Sequence, residues 1–127
     1  MPRPVHFEIH AAGMDRAQAY YEVLFGWTFR SGGDENYRLV GTGSEGPGID
    51  GGMVRWRGDP PKGGEPVNAF VCTVDVDDLD SYVARASAGG GSIALPKMAV
   101  PGVGWLAYVK DCEGNILGMM QQDRSAA

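Results

Sequence analysis

The stretch VHFEIHAAGMDRAQAYYEVLFGW, residues 5–27, decides the architecture. Its first seven residues alternate: Phe7 and Ile9 point one way, and His6, Glu8 and His10 the other, the pattern of a half-buried strand over 5–11. From Asp15 the period changes. Ala17, Tyr20, Tyr21 and Leu24 recur at helical spacing and predict a helix over 15–25, with Gly26 placed to end it in a left-handed C-terminal turn. Three short strands are expected next, over 27–30, 37–40 and 51–56, separated by Gly32-Gly33 and by the glycine-rich segment 41–48. One unit of order βαβββ therefore occupies about residues 4–56.

Residues 57–66, RGDPPKGGEP, have no periodicity and read as a linker. The same order then returns over about 67–121. VNAFVCTVDV, 67–76, reads as a strand, and 77–88 as a helix with Leu79, Tyr82, Val83 and Ala86 on one face. Asp77 is the expected N-cap, with Asp80 adding negative charge to the first turn. Gly89-Gly90-Gly91 ends that helix, and strands are expected over 92–95, 105–110 and 115–121, the last two joined by a turn at 111–114. Offsets test the repeat. At 65 positions Ile9 meets Val74, Asp15 meets Asp80, Ala19 meets Ala84 and Gly26 meets Gly91; at 66, Gly52-Met53 meets Gly118-Met119. The fold class is thus α+β, one domain over 1–127 made of two βαβββ modules.

Composition bounds the function. The 127 residues suit one domain, and 43% hydrophobic with 21% charged residues is the balance of a globular chain. A formal charge of −5 argues against bulk electrostatic binding to nucleic acid or to an anionic membrane. Two cysteines, Cys72 and Cys112, form no metal or disulfide motif, and no apolar run approaches a membrane span. A cytoplasmic location without a leader peptide is the expectation. Twenty glycines imply tight turns and close backbone approaches. Neither a phosphate-binding glycine motif nor a serine nucleophile elbow is present.

Four motifs carry a resemblance: Ala19–Trp27 (AYYEVLFGW), Val76-Asp77-Asp78-Leu79-Asp80 running to the triple glycine, Val100-Pro101-Gly102-Val103-Gly104, and Asp111-Cys112-Glu113-Gly114-Asn115. Together, and in this order, they resemble the vicinal oxygen chelate superfamily of glyoxalases, bleomycin-resistance proteins and extradiol dioxygenases. The resemblance implies that the two modules curl into a cup-shaped mixed sheet, helices on the convex side and ligand on the concave side. His6, Glu8 and His10 would then face the cup.

It also implies where metal-dependent members hold one divalent ion. The corresponding positions are His6, Gly52, Val71 and Gly118, of which only His6 has a donor atom. His6 and Glu8 remain as metal donors or as an acid–base pair, but two protein ligands rarely suffice. The blander readings are that His6 is a hydrogen-bonded residue lining a cavity, that Glu8 and His10 form a solvated strand face, and that the methionines and Trp56 and Trp105 are packing. The expected function is binding of a small organic ligand without a metal cofactor, at His6, Glu8, Val71, Thr73 and Gly118, with Gly118 leaving room for the ligand. The alternative is a lactoylglutathione-lyase-like or dioxygenase-like enzyme using His6, Glu8 and one divalent metal ion. A homodimer is expected, since open sheets leave edges to cover.

Overall fold

The computed structural model describes residues 2–127, in two compact units, Met1–Pro60 and Pro61–Ala127. The division falls inside the expected linker. Each unit has the order βαβββ.

In the first unit β1 is Phe7–Ala11, α1 Met14–Phe25, β2 Thr28–Ser31, β3 Tyr37–Gly41 and β4 Gly51–Arg55. The sheet order is β1-β4-β3-β2; β1 runs parallel to β4 and the other pairs are antiparallel. The expected face of α1 is the buried one, Ala17, Tyr20, Tyr21 and Leu24 with Met14 added, and Gly26 closes the helix at φ 72°. One side chain of β3, Arg38, shows how the sheet is oriented. Arg38 donates to Asp15 and Gln18 of α1, both at 2.7 Å, so Arg38 and its alternates face the helix while Tyr37 and Leu39 face away. On the helix side Trp27 stacks on Tyr21 with ring centroids 5.2 Å apart and lies 5.8 Å from Phe7, which places Phe7 with the core as its alternation required. Ile9, Ala11 and Met53 complete that layer, all buried.

In the second unit β5 is Thr73–Asp75, α2 Leu79–Ala88, β6 Ser92–Val100, β7 Gly104–Lys110 and β8 Ile116–Gln122. The order β5-β8-β7-β6, with β5 parallel to β8, repeats the first sheet. Gln121 accepts the Leu79 N–H at the start of α2, so the odd-numbered residues of β8 face the helix. Leu117, Met119, Ala107, Val109, Leu79 and Ala86 are buried.

Most element ends differ from the sequence reading by one or two residues, and four differences have a physical reason. The first strand starts at Phe7, not at residue 5, because its partner β4 begins at Gly51, which pairs with Phe7. The strand expected over 67–76 shrinks to Thr73–Asp75. In its parallel register Thr73 faces Gly118, so Val71 would already face Ile116, the first residue of β8, and nothing before it has a partner. Val67 and Phe70 are accordingly exposed. The N-cap of α2 is Asp78, whose carboxylate accepts from the Ser81 N–H, rather than Asp77. Finally β6 runs to Val100 instead of stopping at Leu95. It is an edge strand, where Pro96 is tolerated, and it absorbs two register shifts. Among the described residues no helix is long and apolar enough to cross a membrane.

Candidate functional site

The sheet face turned away from α1 carries a polar cluster that the sequence half revealed. Glu8 pairs with Gly52 across β1 and β4, and Gly52 pairs with Leu39 across β4 and β3. With no side chain at position 52, the ring of Tyr37 lies diagonally across it: a Cβ built there would collide with the Tyr37 hydroxyl and Cζ. The hydroxyl thereby reaches both candidate residues. It donates to Glu8 Oε2 at 3.1 Å and lies 3.1 Å from His6 Nε2, which is itself 3.4 Å from the same carboxylate oxygen. A phenol has one proton. With that proton given to Glu8, the phenol oxygen accepts from His6 Nε2–H, which assigns the imidazole proton to Nε2.

His6 and Glu8 are partly open, with 46% and 40% of their side chains exposed, so the cluster is reachable from solvent. Burial of the phenol comes first, and then the hydrogen bond and charge of Glu8, in raising the Tyr37 pKa above its ordinary 10.0. Tyr37 therefore stays a neutral hydroxyl throughout the physiological range. It also borders an open depression of about 430 Å³ lined by Asp34, Val54, Trp56 and Arg57, among others.

His6 and Glu8 are thus brought together as expected, although His6 stands just before β1 rather than in it. Glu8 is not merely a solvated strand residue, and His10 packs its ring on Trp56 at 5.0 Å. Tyr37 was missed. The loops between middle strands differ in length between the modules, so no constant offset points to it, and only the empty position at Gly52 hints that something must cover it.

The second unit repeats the device with different chemistry. Thr73 and Tyr108 both pair directly with Gly118, one from each side. A Cβ on Gly118 would lie 2.9 Å from Thr73 Oγ1 and 3.0 Å from Tyr108 Cε1. At each glycine a neighbouring tyrosine ring lies where a side chain would stand. Val71 lies outside β5 and is half-buried, with no carboxylate or imidazole to offer.

These positions test the fit of a divalent ion. Among the described residues, no three His, Cys, Asp or Glu side chains are grouped to hold a metal. In the first unit the place of a donor at residue 52 is taken by the Tyr37 hydroxyl, a group kept protonated and hence a poor ligand for a cation. The residues present do not fit the superfamily's metal.

Residues 3–118 match the family described as the Glyoxalase/Bleomycin resistance protein/Dioxygenase superfamily. The chain belongs to that superfamily. Superfamily relatives include a protein named "Putative glyoxylase CFP32" in Mycobacterium bovis and in Mycobacterium tuberculosis, 33% identical over 110 residues, which are 84% of this chain and 39% of theirs. The chain thus spans about two-fifths of the curated relatives it matches.

Solved structures share the superfamily fold. A glyoxalase/bleomycin resistance protein/dioxygenase family enzyme from Burkholderia phytofirmans is 18% identical with a TM-score of 0.72, covering 93% of this chain and 97% of that one. The fosfomycin resistance protein FosX from Listeria monocytogenes is 13% identical with a TM-score of 0.74, covering 97% and 93%. A mutant of the same FosX is known in complex with Mn(II) and a dihydroxypropylphosphonic acid. At these identities the likeness is one of fold.

Proposed function

We propose that this chain binds a small organic molecule as a metal-independent member of the superfamily, with residues 1–127 acting as a single domain. The observation that carries the reading is the hydrogen-bonded cluster of Tyr37, His6 and Glu8 on the helix-free face of the first sheet. Such a cluster supplies a few fixed polar groups beside apolar and aromatic wall, the usual make-up of a small-molecule site. On the second unit's own sheet Thr73, Gly118 and Val71 are the proposed ligand contacts, by the repeat that aligns Glu8 with Thr73 and Gly52 with Gly118. Sequestration of a ligand needs no catalytic group beyond these.

Metal analysis and binding together test the reading. Protein purified without chelator should contain well under one equivalent of Zn, Ni, Mn or Fe. A ligand found by thermal stabilisation across a panel of flat organic molecules should move the backbone resonances of His6 and Glu8. Its affinity should fall by roughly 1–3 kcal/mol on His6→Ala, the cost of leaving a buried polar partner unpaired. A stoichiometric metal ligated by His6 would overturn this proposal. It would favour instead the glyoxalase-like or dioxygenase-like enzyme using His6 and Glu8, the reading supported by the name of the mycobacterial relatives.

The proposal extends to assembly. A homodimer would cover the apolar side chains exposed on the edge strand β6, Ile93, Leu95 and Met98. Sedimentation equilibrium at micromolar concentration should return twice the 13.5 kDa chain mass. A species of single-chain mass would refute the dimer.

A further inference from the structure

The cluster on the first sheet has a polarity opposite to that of a metal site. A divalent ion with open positions is an electron-pair acceptor and takes oxygens of the substrate. Here the donors are used internally. The Tyr37 proton goes to Glu8 Oε2, and the His6 Nε2 proton to the Tyr37 oxygen and the same carboxylate. What remains is acceptor capacity: Glu8 Oε1, which has no hydrogen bond among the described residues. Glu8 is a carboxylate, the group with which an ammonium makes a charge-assisted hydrogen bond.

Arg38 lies on the opposite face, held by Asp15 and Gln18. Arg30, on β2, stands at the far end of the cross-strand row Glu8, Gly52, Leu39 and Arg30. The adjoining depression is lined by Asp34, Arg55 and Arg57, of which Arg55 is held by Asn36 Oδ1 and the Ala12 carbonyl. Tyr37, Val54 and Trp56 line it too and offer apolar surface for the body of a ligand.

We infer that the His6–Glu8–Tyr37 cluster selects ligands that present a hydrogen-bond donor, above all an organic ammonium group on an apolar or aromatic body, rather than ligands that present vicinal oxygens or a carboxylate. This rests on the binding reading proposed above and assigns the ligand class of that site.

Phenethylamine and phenylacetate test it, because they share a phenyl body and differ in the sign of the head group. Each is titrated at low salt into isotope-labelled protein, and shifts are read at the backbone amides of Glu8, Tyr37 and Gly52. The amine is expected to bind about tenfold or more tightly than the acid, the factor one charge-assisted hydrogen bond supplies. Glu8→Gln keeps the shape and should bring the two affinities within about twofold of each other, with the spectrum of the second unit unchanged. Phenylacetate binding here as tightly as the amine, or a preference for the amine that survives Glu8→Gln, overturns the inference while leaving the binding site in place. Neither compound shifting these amides up to millimolar concentration overturns both the inference and the function it rests on.

Discussion

Gly52→Leu is expected to unseat Tyr37 and to dismantle the polar cluster without touching any of its three members. The leucine Cβ would stand where the Tyr37 hydroxyl and Cζ now lie, and the remaining carbons would extend further into the ring. The obstacle is the far end of one long side chain, so the ring swings out and the strand survives. The overpacking should cost about 1–3 kcal/mol. Loss of the phenol's bonds to Glu8 and His6 should add roughly 0.5–1.5 kcal/mol. Chemical denaturation reads the total.

An ultraviolet titration of the tyrosines separates this from a general loss of packing. In the parent protein Tyr37 ionises above its ordinary 10.0, through burial first and the Glu8 bond and charge second. A group whose folded pKa is raised contributes stability that is complete below its unfolded value and is lost as pH climbs through the folded one. The parent should therefore lose stability in alkali more steeply than Gly52→Leu, in which the freed phenol titrates near the ordinary value. Glu8→Gln should move the titration only part of the way, since burial remains. An unchanged tyrosine titration in Gly52→Leu would mean that Tyr37 does not lie across residue 52.

How much of this was readable beforehand follows from where the repeat is strict. The offset of 65 holds at the helices, where Met14 and Leu79 open α1 and α2. It also holds at the first strands, so Glu8 and Thr73 face the paired glycines Gly52 and Gly118 in equivalent registers. Helical periodicity over Ala17, Tyr20, Tyr21 and Leu24 fixed the buried face of α1 because a helix buries what its own spacing aligns.

Strand ends were less legible, because a strand's length depends on its partner. VNAFVCTVDV looks extended throughout, yet only Thr73–Asp75 find β8 opposite. The strand expected over 92–95 ends just before Pro96, but an edge strand needs no N–H on its free side and β6 continues past it. Tyr37 escaped notice for a related reason. It reaches the site by a diagonal contact across two strands, and the register that creates this contact is set by loops whose lengths carry no periodic signal.

Gly118→Leu should be the costlier of the two glycine substitutions. Gly118 is the middle of three paired residues, with Thr73 on one side and Tyr108 on the other, and it is buried. Its would-be Cβ lies 2.9 Å from the Thr73 hydroxyl and 3.0 Å from the Tyr108 ring edge. Neither neighbour yields as Tyr37 does at Gly52. Threonine is branched at Cβ and stiff about χ1, and the contact with Tyr108 is at the flank of its ring rather than at the hydroxyl end. Leucine should then force the strands themselves to shift, at about 3 kcal/mol, the upper end of the usual overpacking range. Trimming one neighbour tests the cause. Thr73→Ala in the Gly118→Leu background should recover at least about 0.5 kcal/mol, whereas Thr73→Ala alone should not stabilise, a coupling expected only of residues in direct contact. Equal effects of Thr73→Ala in both backgrounds would remove Thr73 as the source of the strain. A ligand titration on Gly118→Leu is therefore interpretable only beside its denaturation curve, because binding lost with the fold says nothing about where the ligand sits. Binding that is lost in Gly118→Leu and returns with the stability in the double variant would trace the loss to the strained sheet. Binding that stays lost while stability recovers would place the ligand against residue 118 itself.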